Sequence, residues 1–375
     1  MLGRLARGLT GLLPGRRARR SDSERAGWLE QAKARLDAGG FADAAVLFER
    51  ILSIAPDDIE ALKGRAGLHR YAGEFEEALA LADEILAQAP DDIDAWCIRA
   101  FSERGRGRLD AALQAFRRAV AIEARAGLIA CVGGILFQQG EIVAALNEMD
   151  HAIAADPEAD FIHSNRLFML NHDTRMSADA VAREHFAWGR SVEARMAPWR
   201  RPHDNDRSPD RRLRIGYVSA DFRTHSVAFF FAPVLAAHDR SQVEVFCYDN
   251  QAGPGDAFTR RLQGMANHWI RTAAMDDPAL ATRIRADAID ILVDMSGHTG
   301  GNRLPVFAMQ PAPLAVTWFG YMNTTGLATI DYRITDYSLC PPGSEPRYSE
   351  TIHRVHGMAA WSAAPDSPQI GRAHV

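Results

Sequence analysis

Cysteine is scarce in this chain: four in 375 residues, Cys97, Cys131, Cys247 and Cys340, far apart and with no CxxC pair. That spacing argues against a disulfide framework and a thiolate metal site, and reads as reduced, mostly buried thiols in a cytoplasmic protein. Charge of one sign is not in excess. Forty-three basic side chains against 48 acidic ones leave a net charge of −5, so no domain-wide basic field is present to hold nucleic acid. No apolar run approaches the ~18–20 residues a membrane span needs. The opening "MLGRLARGLTGLLPGRRARR" is basic, but Gly8, Thr10, Gly11 and Pro14 break its apolar run and no small-residue cleavage pattern follows. Residues 1–24 read as a disordered tail and not as a signal peptide.

What remains is ordinary globular composition, 47% hydrophobic and 24% charged, with length for two or three domains. The first half repeats itself. "GFADAAVLFERILSIAPDD", "EFEEALALADEILAQAPDD", "RLDAALQAFRRAVAIEAR" and "EIVAALNEMDHAIAADPEA" align without gaps. Gly39, Gly73 and Gly107 fall at steps of 34, and Gly140 follows 33 later. Phe41, Phe75, Leu109 and Ile142 hold the next apolar position, each followed by Ala44, Ala78, Ala112 and Ala145. Pro56, Pro90 and Pro157 close the helices, and Ala124 stands in the third place.

That period and those residues are the tetratricopeptide pattern. Alanine lets two antiparallel helices approach, glycine permits the turn, and proline stops the second helix. One unit cannot bury its own apolar face, so the units stack into an α-solenoid over residues 25–157. Its groove is expected to bind protein or peptide segments, or else the array serves as a spacer or dimerisation arm. After Pro157 the pattern decays into a helical connector over 158–200, with Ser177 placed to cap a helix. "PHDNDRSPDRR", within a polar linker at 201–212, marks the expected domain boundary.

From Leu213 strands alternate with helices. "LRIGYVSA", "VEVFCYDN", "IDILVDMS" and "LAVTWFGY" are nearly continuous in apolar character, as strands buried on both faces are. Helical stretches lie between them at Val227–Ala237, Ala257–Ala266 and Pro278–Asp287. The expected fold class is therefore α plus α/β, a repeat solenoid followed by one Rossmann-like lobe over 213–358. Ligands in such sheets sit at the carboxyl ends of the strands, where "DFRTHS", "SGHTGGNR" and "MNTTG" fall. No GxGxxG opens a helix after the first strand, so a nucleotide site in this lobe is not supported. His225, in the first loop, has the ordinary imidazole range that suits proton transfer near neutral pH. A lone loop histidine is as readily a solvated or structural group. The glycines around His298 and Thr299 could turn backbone N–H groups toward an anion, or serve only a crossover that needs positive φ.

Taken in order, "RIGYVSADFRTHSV", "VEVFCYDN", "IDILVDMSGHTGGNRLPVFAMQPAPLAVTWFGYMNTTGL", "DYRITD" and "PRYSE" behind such repeats resemble the bacterial, SPINDLY-like branch of the protein O-linked N-acetylglucosaminyltransferases. The resemblance runs from about Gly39 to Val355. It implies a GT-B arrangement of two Rossmann-like lobes. It also implies inverting transfer of N-acetylglucosamine from UDP-N-acetylglucosamine to Ser or Thr hydroxyls, with no metal or other cofactor. His225 matches the family's active-site histidine, as general base or as positioning group. His298 and Thr299 match its GHT stretch, and Thr324, Thr325 and Gly326 the turn that approaches the sugar. Ser226 and Met322-Asn323 depart from the family's usual Pro and Pro-Gly at those places.

The resemblance further implies a second lobe that holds the donor. The terminal "IGRAHV", Ile370–Val375, reads as translated sequencing-library adapter, so residues 369–375 are set aside as non-native. The expectation is a clipped transferase, inactive by itself, with an apolar lobe face open to self-association into a homo-oligomer. The competing expectation is an interaction module whose lobe performs no chemistry.

Overall fold

The computed structural model describes residues 14–37 and 39–357. The first 13 residues and the adapter-like 369–375 lie outside them. Ten helices come first: α1 (Pro14–Asp37), α2 (Phe41–Ile54), α3 (Ile59–Ala72), α4 (Phe75–Gln88), α5 (Ile93–Gly105), α6 (Leu109–Ile122), α7 (Ala126–Gln138), α8 (Ile142–Ala155), α9 (Asp160–Leu170) and α10 (Ala178–Met196). Helix α1 starts at Pro14 and so reaches into the stretch expected to be an unstructured tail. Proline suits a first helical turn, and the Arg, Ala, Glu and Leu that follow are good helix formers.

The repeat chemistry is visible residue by residue. Phe41, Phe75, Leu109 and Ile142 each open a helix. Ala44, Ala78, Ala112 and Ala145 are fully buried. Gly39, Gly73, Gly107 and Gly140 all have positive φ, between 75° and 84°, the conformation that ends a helix at little cost only with glycine. Asp58 and Asp92 cap α3 and α5, accepting from the Ala61 and Ala95 amides at 2.9 Å. Where Ala124 replaces proline the aspartate is lost too, and Arg125, at the N-cap of α7, makes no side-chain cap.

The chain divides into two compact units between Glu141 and Ile142, well before the expected linker at 201–212. Helices α8, α9 and α10 therefore belong with the second half. Their apolar faces and several buried polar groups are committed there, as described below. Ser177 caps α10 as expected, accepting from the Ala180 amide at 3.2 Å.

The second unit continues through β1 (Leu213–Ser219), α11 (Ser226–Ala237), β2 (Val243–Asp249), α12 (Ala257–Gln263), β3 (His268–Arg271), α13 (Asp277–Ala286), β4 (Ile291–Asp294), α14 (Leu304–Ala308), β5 (Leu314–Trp318), β6 (Tyr332–Thr335) and β7 (Thr351–Arg354). All strands pair in parallel in the order β3-β2-β1-β4-β5-β6-β7. This is the doubly wound Rossmann order with one strand added. Val245, Cys247 and Leu292 are fully buried, which explains the continuous apolar runs. Tyr217, Phe222, Phe231, Leu235, Val245 and Cys247 share one core. Among the described residues no helix is long and apolar enough to cross a membrane.

Candidate functional site

Strand order reverses at β1, which lies between β2 and β4. The loops after β1 and β4 therefore flank the crevice where doubly wound sheets hold ligands. The first of these loops is pinned at both ends. Ser219 Oγ accepts from the Asp221 amide at 3.0 Å, and Asp256 Oδ2 accepts from the Thr224 amide at 2.8 Å. His225 ends it as the N-cap of α11, with extended backbone and Nδ1 accepting from the Val227 amide at 3.3 Å. An imidazole nitrogen that accepts carries no proton, so the neutral ring holds its proton on Nε2. That nitrogen lies 3.8 Å from Asp221 Oδ1, and the side chain is 35% exposed. In this arrangement His225 offers a donor to whatever enters the crevice. Accepting a proton at Nε2 requires the ring to leave its cap.

The loop after β4 is built differently. Asp294, the last residue of β4, is buried and accepts from the Ser296 and Gly297 amides and from Thr317 Oγ1 at 2.8 Å. Burial raises its pKa, and those three donors oppose the rise. His298 was expected to meet substrate, but it is fully buried. Its Nε2 faces the Thr325 carbonyl at 2.9 Å and its Nδ1 faces Ser164 Oγ on α9 at 3.1 Å. A carbonyl can only accept, so Nε2 carries the proton and the serine donates to Nδ1. His185, Trp188 and Tyr321 surround the ring at 4.6–5.3 Å between centroids. Burial holds the His298 pKa well below the usual histidine value. His298 thereby ties two loops to α9.

Thr324, Thr325 and Gly326 are buried in the same way. Both threonines are fully buried. Glu350 gathers them, accepting from Thr324 Oγ1 and the Thr325 amide at 2.7 Å and from Thr325 Oγ1. Gly326, at φ 81°, lies against α10: a Cβ there would stand 2.1 Å from the His185 carbonyl oxygen, and one on Gly189 1.8 Å from the Gly326 oxygen. Only glycine fits on either side. His185 Nδ1 is 2.8 Å from the Val181 carbonyl and its Nε2 2.8 Å from Tyr321 Oη, while burial lowers its pKa to about 4. Arg333, almost fully buried, donates to the Asn323 and Tyr321 carbonyls at 2.8 and 2.7 Å. The departure at Met322-Asn323 leaves Met322 exposed, and Asn323 Nδ2 donates to Asn171 Oδ1 at 2.8 Å.

Of the six residues singled out from sequence, His225 and Thr299 reach the surface. Thr299 lines a cleft of about 600 Å³ with Phe168, Asn171, Tyr321, Met322 and Arg347. Sequence reasoning missed Ser164, His185, Asp294, Tyr321, Arg333 and Glu350. Their partners lie up to 154 residues away, and no local pattern signals such pairs. The dinucleotide position at the end of β2 is occupied by the protein itself. Asp249 is fully buried, and Arg303 fills the neighbouring space with hydrogen bonds to Asn250 Oδ1, Thr272 O and Met275 O and an ion pair to Asp277 at 2.6 Å.

Comparison with known proteins matches residues 157–357 to glycosyl transferase family 41 and residues 35–100 to the tetratricopeptide repeat. A probable UDP-N-acetylglucosamine–peptide N-acetylglucosaminyltransferase SPINDLY from Solanum lycopersicum is 36% identical over 220 residues, 57% of this chain and 23% of the relative. A SEC protein of the same description from Arabidopsis thaliana is 42% identical over 147 residues, 39% of this chain and 15% of the relative. A mutant O-GlcNAc transferase from Thermobaculum terrenum superposes with a TM-score of 0.68 at 31% identity, covering 95% of this chain and 62% of that one. The chain thus spans about a quarter or less of these curated relatives. The family match takes in more than half of the chain, and the protein belongs to glycosyl transferase family 41.

Proposed function

We propose that this chain forms the acceptor-side part of a protein O-glycosyltransferase that moves N-acetylglucosamine from UDP-N-acetylglucosamine to Ser or Thr hydroxyls. The repeats hold the protein acceptor, and a second lobe of a GT-B pair supplies the donor site. The observation that carries the reading is His225, half-exposed at the carboxyl end of β1 and at the strand-order switch, in a chain of this family. In an inverting transfer the acceptor oxygen bonds to the anomeric carbon as the bond to the diphosphate breaks, and the hydroxyl proton passes to a water or to the departing diphosphate oxygen. His225, with its proton on Nε2, orients the acceptor oxygen by donation, and Thr299 lines the adjoining rim. Free cysteines are consistent with a cytoplasmic setting, and the lobe face that the second lobe would cover is the place for self-association.

The test joins this chain to the donor lobe of the Thermobaculum terrenum relative and supplies UDP-N-acetylglucosamine with a Ser/Thr peptide. The fusion transfers sugar, the 375-residue chain alone does not, and His225→Ala lowers turnover about a hundredfold with donor affinity kept. Unchanged turnover in His225→Ala removes the histidine from the mechanism. A second reading, an interaction module without chemistry, is favoured by the burial of His298, Thr324, Thr325 and Gly326. An inactive fusion that still binds peptide would support it.

A further inference from the structure

In the repeat unit Arg70 sits in the last turn of α3 and Arg104 in the last turn of α5, at the same place in successive repeats. Both guanidiniums lie over the ring of Phe101, at 5.3 and 5.4 Å from its centroid. Among the described residues neither has a carboxylate partner, whereas Arg99 and Arg106 beside them are paired with Asp83 and Glu76. Burial and the repulsion of Arg104 together hold the Arg70 pKa below the usual arginine value. A cation at each helix end is favoured by the helix dipole. The dipole does not account for two like charges sharing one ring with no counter-ion between them. An anionic oxygen pair placed there would offset that repulsion and meet two planar donor forks.

We propose that Arg70, Phe101 and Arg104 form a clamp for the carboxylate side chains of a short acidic peptide segment, and that this clamp selects acceptors by charge. The proposal rests on the reading of the repeats as a peptide-binding groove. The same helix stripes limit its length. Glu60 precedes Lys63 and Arg70 on α3, and Asp94 precedes Phe101 and Arg104 on α5, at helical spacing. A long run of phosphates would meet those carboxylates, while a segment with one or two acidic residues ends before them.

The test measures binding of the 375-residue chain to a fluorescent Ser-containing peptide with two glutamates, to its twin with glutamines, and to a short single-stranded RNA. The acidic peptide binds about tenfold tighter than its twin. The difference shrinks in half-molar salt and disappears in the Arg70→Gln/Arg104→Gln double variant. Arg104→Lys, which keeps the charge but loses the fork, retains part of it. Equal binding of the two peptides, or a preference that survives in the double variant, overturns the clamp and leaves the groove standing. Tighter binding of the RNA also overturns it. If no peptide binds, the groove reading falls and the clamp with it.

Discussion

In the repeat unit, the residues that bring helices together are alanines. Ala44, Ala78 and Ala112 are fully buried, and charges such as Lys63 with Asp92 pair across repeats at the surface or in its margin. In the second unit, α9 and α10 are joined to the strand loops through polar groups removed from water. Ser164 meets His298, and His185 meets Tyr321. Small apolar contacts are local and repeat, so they tolerate the loss of a motif residue such as the proline at Ala124. Buried polar contacts are long-range and single, and each lost partner leaves a group unsatisfied at a cost of about 1–3 kcal/mol. The contrast is therefore one of fault tolerance.

The largest test of that contrast is Gly189→Val. Its side chain has backbone, not a movable side chain, in its way, at 1.8 Å from the Cβ position. The second unit is expected to lose about 4 kcal/mol or more, with its melting transition displaced or abolished and the repeat helices retained by circular dichroism. A variant that melts like the parent would break the comparison. Next in size is acid sensitivity. His185 falls from 6.5 to about 4 in the folded state, so the unfolded chain takes up its proton first. Its stabilisation is complete above about pH 6.5, is lost as pH falls toward 4, and amounts to roughly 3 kcal/mol. His298 acts in the same direction. Urea melts at pH 7.5 and pH 5 should show the second unit weakening first, and equal weakening of both units would erase the difference. Smallest is Ala112→Leu, which overfills a buried repeat position. It should cost about 1–3 kcal/mol, confined to the first transition.

The same difference explains what could be read in advance. The repeats announce themselves because each glycine, alanine and proline acts within its own turn, and four strands show because burial on both faces leaves an apolar run. Strands β6 and β7 set Arg333, His353 and Arg354 among their apolar residues, so they leave no apolar run, whereas β4, equally short, does. The polar linker at 201–212 is conspicuous in the sequence, whereas the commitment of α9 and α10 to the sheet loops depends on single distant pairs. The loop position of His225 is legible because a strand, a polar turn and a helix start are consecutive. His298, Thr324 and Thr325 lie in equally consecutive loops, yet their burial is decided by Ser164, His185 and Glu350, which sequence order does not bring near them.

The backbone contact between Gly189 and Gly326 also bears on how loss of activity should be interpreted. Helix α10 and the turn that carries Thr324 and Thr325 touch without intervening side chains, so damage at either travels to the rim of the sheet. A scan that scores only product formation would rank Gly189, Thr325, His298 and Glu350 beside His225 as indispensable. Four of those five are buried. Scoring each variant for soluble, cooperatively melting protein before scoring turnover separates the weld from the tool.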